Sequence, residues 1–200
     1  MVQRWPALFT ESQIYLEFNR IVGRNLKEEF FGVVDGLCPN LMEIFKRKAG
    51  QIGQHLAELL LQTKSTEPTA TRCLVLRGLP VILRDDASMF FKSSSNLNNG
   101  ESLDIPVGIL CYEDNRATSP ASPQLNPSRV GIILEDSLAM DALTNLPQAM
   151  CLLFGFIYAL HLEYPKCRKN TFIFIQQVML NLDRSELPPK VQKLKNDLAV

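Results

Sequence analysis

Residues 149–160, AMCLLFGFIYAL, run without a charged or strongly polar side chain. This stretch constrains the fold more than any other. A bilayer span needs about 18 or more such residues in a row, so the run is too short to be one. A helix that is apolar all round in water must be enclosed by other elements. Asn145 can cap its start, Pro147 falls in the first turn where a missing N–H costs nothing, and Pro165 stops it soon after Tyr164. The stretch 147–163 is therefore read as a central core helix.

Nothing in the overall balance draws the chain toward a polyanion or a bilayer. Lys+Arg and Asp+Glu are 21 each, so no net field favours nucleic acid or anionic lipid. Two hundred residues, 46% of them hydrophobic, can bury a core without disulfides or metals. Cys38, Cys73, Cys111, Cys151 and Cys167 show no paired spacing, and Cys111 and Cys151 lie inside apolar runs, as reduced, buried thiols do. Asn126-Pro127-Ser128 is a glycosylation sequon blocked by its proline. Residues 1–9 hold Arg4 and Pro6 where a signal peptide needs an apolar run. These features point to a reducing intracellular compartment, cytoplasmic or nuclear.

Upstream of the core helix the period is helical. Ile14, Phe18 and Ile21 mark a first helix, and Leu26, Phe30, Val33, Val34 and Leu37 a second capped by Asn25. Pro39 opens a third, with Leu41, Ile44 and Phe45 inward and Lys46-Arg47-Lys48 complementing its C-terminus. Ile52, Leu56, Leu59 and Leu60 mark a fourth. After a polar break at 65–69, residues 72–77 and 81–92 read as helical pieces split by Gly78-Leu79-Pro80.

From 103 the period changes. Residues 107–113 and 129–135 are Val- and Ile-rich runs bounded by Pro and Ser, and Asp136-Ser137 turns the chain into a third strand, 138–143. Three strands with no helix between them predict an antiparallel meander. The stretches 93–102 and 114–128 are loops by composition, the second with three prolines and expected to be exposed. After the core helix, 167–182 carries Phe172, Ile175, Val178, Met179 and Leu182 on one side, and the short linker 164–166 predicts a hairpin with it. Val191, Leu194 and Leu198 mark a last amphipathic helix. The expectation is a single α+β domain over 1–200, predominantly helical. Helices fill 1–92, a small three-stranded antiparallel sheet in 103–143 packs against the central helix, and 146–200 forms C-terminal helices with the hairpin.

Patterns that carry chemistry are few. His55 lies on the polar side of its helix. His161 ends the apolar run, where a histidine beside Glu163 or a cysteine could centre a hydrolase, and where one also simply complements a helix C-terminus. No two cysteines are nearer than sixteen residues and neither histidine has a partner at i+3 to i+5, so no zinc site is expected. There is no G-x-G-x-x-G, Walker or G-x-S-x-G pattern, so no cofactor and no catalytic residue are assigned. Interaction remains. Trp5, beside Pro6, is a packing anchor or a binding hot spot. Lys166, Arg168 and Lys169 stand at a helix start, where the dipole disfavours cations; the conflict marks a solvated loop or a patch for an acidic partner. Ser119-Pro120 and Ser122-Pro123 offer Ser119 and Ser122 to proline-directed phosphorylation.

The strings QRWPALFTESQIYLEFNRIVGRNL, LRGLPVILRDDASMFFK, LPQAMCLLFGFIYALHLEYPK and TFIFIQQVMLNLD occur in that order, spread over about 3–198. In them the chain resembles the C-terminal region of a lineage-expanded group of fish proteins labelled sterile alpha motif domain-containing protein 3-like. The label refers to a compact helical module for self-association and partner binding, which is not located in this chain. The resemblance implies an intracellular protein working in protein assembly, carries no catalytic residue over by position, and admits descent from a mobile element. The chain is thus expected to be a non-enzymatic intracellular interaction or assembly module, with an unknown protein partner or with self-association. The alternative is a nucleic-acid-associated protein of mobile-element descent, for which Lys46, Arg47, Lys48, Lys166, Arg168 and Lys169 would share one basic face.

Overall fold

An asparagine followed two residues later by a proline starts the helix that the sequence places at the centre. The computed structural model of the chain describes residues 9–63, 67–94, 105–112, 125, 127 and 129–199. In it Asn145 is extended and its side-chain oxygen accepts a 2.8 Å hydrogen bond from the Gln148 N–H, capping a helix over Leu146–Ala159. In chain order the elements are α1 (Glu11–Val22), α2 (Leu26–Arg47), α3 (Gly50–Gln62), α4 (Pro68–Ile82), α5 (Ala87–Phe90), β1 (Phe91–Ser94), β2 (Val107–Tyr112), β3 (Val130–Leu134), β4 (Ser137–Leu143), α6 (Leu146–Ala159), α7 (Lys169–Ile173) and α8 (Pro189–Leu198). A 3-10 turn, Lys166–Arg168, precedes α7, and a π-helical run, Phe174–Met179, continues it. Trp5, Ser119, Ser122 and most of the loops expected at 93–102 and 114–128 lie outside the described residues. Among the described residues, no helix is long and apolar enough to cross a membrane.

The fold is α+β with helix dominant, and it divides into two compact units. One joins Met1–Leu26 to Ser88–Pro165; the other joins Lys27–Ala87 to Lys166–Val200. This division cuts across the sequential one expected at 1–92, 103–143 and 146–200. The helices on either side of Pro165, expected to form a hairpin, belong to different units.

In the first unit α6 is buried on every side from Leu146 to Ile157, Gln148 apart. Ile14 and Phe18 of α1 cover one flank, the Phe18 ring lying 6.3 Å from Phe154 and 5.3 Å from Tyr158. Gly155 makes this approach: a Cβ there would sit 2.7 Å from Ile14 Cγ2 and 2.9 Å from Leu26 Cδ2. Phe9 stacks on Phe156 at 5.3 Å. The sheet covers another flank, with α6 packed on β2, β3 and β4.

That sheet corrects the expectation of three antiparallel strands. It has four, in the order β1-β2-β3-β4, and is mixed: β2, β3 and β4 form the antiparallel meander, while β1 pairs parallel to β2 with Phe91 opposite Ile109. Four residues after a helical turn carry no period of their own, and parallel pairing depends on a distant strand. Glu135 and Asp136 (φ 51° and 57°) make the tight β3–β4 turn, in the left-handed conformation that hairpins favour. The outer strand β4 is irregular. Its register shifts against β3, Ala142 has φ 58°, and Asp141 pairs with Arg129, whose guanidinium lies 4.3 Å from the Tyr112 ring centroid. Such a bulged edge resists further strand pairing.

In the second unit two prolines expected to divide helices lie inside them. Pro39 is within α2 and Pro80 within α4. A proline in a helix interior costs about 3 kcal/mol. Phe30, Val34, Cys38, Leu41, Ile44 and Phe45 stay on one buried stripe through Pro39, and burying each large apolar side chain contributes about 1.5–3 kcal/mol. The stripe outweighs the proline. Gly78, read as a breaker, is where the Phe45 ring rests, since any Cβ there would collide with it. Arg72 also joins α4 to α2, with two 2.6 Å bonds to Asp35 and its guanidinium over Phe31 at 4.8 Å, and it holds the Asp35 carboxyl below its ordinary range.

Phe154→Ala should cost about 3–5 kcal/mol, because Phe154 is fully buried and its ring meets Phe18 and Tyr158. Gly155→Ala should cost about 1–3 kcal/mol through overpacking against Ile14 and Leu26. Urea unfolding of both variants checks this; an unchanged midpoint for either would contradict the packing of α1 on α6.

Candidate interaction surface

The cations at the start of α7 are set by a carboxylate from the end of α4. Helix α4 closes with a left-handed residue at Arg84 (φ 56°), and the Asp85 N–H bonds back to the Pro80 carbonyl at 2.9 Å. This is the Schellman geometry, usually made by glycine. It delivers Asp85 to α7, which has no cap of its own from Arg168. Asp85 Oδ2 accepts from the Thr171 N–H and hydroxyl, both at 2.7 Å, and Oδ1 accepts from Asn170 Nδ2 at 2.8 Å. Thr171 is the third helical residue, whose N–H an N-cap side chain ordinarily satisfies. Asp85 therefore caps α7 through space. The Asp86 N–H donates to the Cys167 carbonyl at 2.9 Å and fixes the turn before it.

This arrangement separates the three cations. Arg168 is only 1% exposed, and burial pulls its pKa down while Cys167, Asp86 and Asp85 push it back up. Lys166 and Lys169 face solvent. The negative charge of Asp85 and Asp86 answers the dipole conflict that the sequence presents.

Helix α8 packs on α7 through an inward face carrying Val191 and Leu194, and leaves Lys190, Lys193 and Lys195 exposed. The stretch 166–200 holds seven Lys+Arg against three Asp+Glu, whereas 27–87 holds eight of each. Lys166, Lys169, Lys190, Lys193 and Lys195 have no ion-pair partner among the described residues. The other basic string is different. Lys46 pairs with Glu43 at 2.8 Å and Lys48 with Asp197 at 3.3 Å, beside a cleft of about 420 Å³ lined by both charges. The α8 lysines are absent from the sequence-based candidates. Their signal was the alternation of Lys with buried Val191 and Leu194.

The histidines stand apart from this surface. His55 is exposed on α3. His161 is exposed with φ 52°, and the Leu162 N–H bonds to the Ile157 carbonyl at 2.9 Å, so it occupies the left-handed position that ends α6. The first unit holds one further polar cluster. Gln148 Nε2 donates to Glu11 at 2.8 Å, and the Tyr15 hydroxyl points at Cys151 Sγ at 4.0 Å. Burial, with Cys151 and Glu11 adding to it, raises the Tyr15 pKa and keeps the hydroxyl neutral. Among the described residues, no group of His, Cys, Asp or Glu could hold a metal ion. Comparison with protein-family models, curated proteins and solved structures finds no match.

Asp85→Ala should destabilise the second unit by about 1–3 kcal/mol, since it strips acceptors from the Thr171 N–H and the Asn170 amide. Asp85→Asn keeps an acceptor and should lose less. Amide exchange at Thr171 should accelerate in the alanine variant; equal protection in both proteins would remove Asp85 from its capping role.

Proposed function

We propose that the chain is a non-enzymatic interaction module, acting inside the cell, that binds an acidic segment of a protein partner through Lys166, Lys169, Lys190, Lys193 and Lys195. One observation carries this: five exposed lysines on adjoining elements of one unit, none with an ion-pair partner among the described residues. Ammonium groups on flexible stems can follow carboxylates spaced along an extended peptide. A duplex has a much denser row of charge and releases counterions to a strongly cationic protein. This chain has no net charge to exploit that term. The likeness to the sterile alpha motif domain-containing protein 3-like group, named for an association module, agrees with a binding role.

Fluorescence anisotropy with a labelled Glu/Asp-rich peptide tests it, with a short DNA duplex in parallel. Peptide binding should weaken with added salt and fall about tenfold in Lys190→Glu/Lys193→Glu, two surface charges reversed. Both side chains are exposed, and Lys190 lies in the first turn of α8, where an acidic residue suits the dipole, so the variant should stay folded. Peptide binding that ignores the reversal would exclude this surface. Tighter binding of the duplex, with a steeper salt dependence, would establish the nucleic-acid alternative instead.

A further inference from the structure

The cleft of about 420 Å³ in the second unit contains a cation that the chain does not pair itself. Helix α2 supplies Asn40, Glu43, Ile44 and Arg47 to it, at spacings that put all four on one side of the helix. Lys48 and Asp197 complete the lining. Both carboxylates are answered, Glu43 by Lys46 at 2.8 Å and Asp197 by Lys48 at 3.3 Å. Arg47 has no ion-pair partner among the described residues. Its Nε donates to the Glu43 carbonyl at 3.3 Å, which lays the guanidinium back over the preceding turn. The two terminal nitrogens, and the Asn40 amide further back along the same side, make no hydrogen bond among the described residues. A row of charge on α8 leads to this place. Lys190, Lys193 and Asp197 follow one side of that helix at three- and four-residue spacing, and Asp197 is the member that lines the cleft.

We propose that the cleft takes one Asp or Glu side chain of the acidic segment, held by the terminal nitrogens of Arg47, with the Asn40 amide as a further donor. This rests on the reading of the lysine surface given above, and makes Arg47 the residue that fixes the segment along α8. Lysines follow charge loosely, whereas a guanidinium grips a carboxylate through two parallel bonds. Glu43 and Asp197 in the lining suit a ligand group with a single charge. A phosphate brings nearly two, and would be repelled by both.

The labelled Glu/Asp-rich peptide and the whole chain test this by anisotropy. Arg47→Ala should weaken binding about tenfold, and Arg47→Lys, which keeps the charge without the fork, about threefold. Arg184→Ala removes an exposed arginine of the same unit that does not line the cleft, and should change binding less than about twofold. Equal loss in the Arg47→Ala and Arg184→Ala variants would overturn the proposal, as would an Arg47→Lys protein that binds like the wild type. If Lys190→Glu/Lys193→Glu weakens the peptide and Arg47→Ala does not, the cleft falls and the lysine surface stands; if neither does, both fall. Loss in Arg47→Ala alone would overturn the row that leads to the cleft. A phosphoserine peptide that binds more tightly through Arg47 would overturn the carboxylate as its ligand. Glutarate that binds through Arg47 while the peptide ignores that residue would give the cleft to a small free carboxylate instead.

Discussion

A helix without a polar face has to be covered all round, and in this chain the cover comes from segments far apart in sequence. Helix α6 takes α1 on one side and the sheet on another, so residues before 27 must meet residues after 87. The close fit at Gly155 makes that meeting specific, because a larger residue would hold α1 away. The residues between 27 and 87 belong to the other unit, together with 166–200, which again joins distant segments.

Asp85 is to the second unit what Asn145 is to α6, a polar side chain that satisfies the start of a helix. The difference is range. Asn145 caps the helix that follows it, whereas Asp85 caps one that begins more than eighty residues later. The left-handed turn at Arg84 aims the carboxylate, and Arg168 is buried beside the charges it answers. With the start of α7 held, Lys166 and Lys169 remain outside and α8 adds its lysines to theirs. Function is proposed there because the apolar helix is closed off, while these charges are not.

Local signals were legible in the residues. The Asn145 cap, the run of α6, the three strands of the meander and the stripe of α8 all follow from short-range period and turn chemistry. Long-range signals were not. Pro39 and Pro80 read as boundaries because proline is a strong local breaker, but buried stripes in phase across them decide otherwise. Strand β1 exists only because β2 is beside it. At the candidate surface, Lys166, Arg168 and Lys169 were visible as a conflict with the helix dipole. That Arg168 turns inward, and that Asp85 resolves the conflict, required the fold to bring 85 and 171 together.

The measurement closest to the centre of these claims is hydrogen exchange of the whole chain with and without the Glu/Asp-rich peptide. Slowed exchange in 166–173 and 189–198, with α1 and the sheet unchanged, is the predicted result. Slowing confined to the first unit, or none anywhere at a peptide concentration that saturates binding, would contradict the placement of the partner on the surface that Asp85 holds in place.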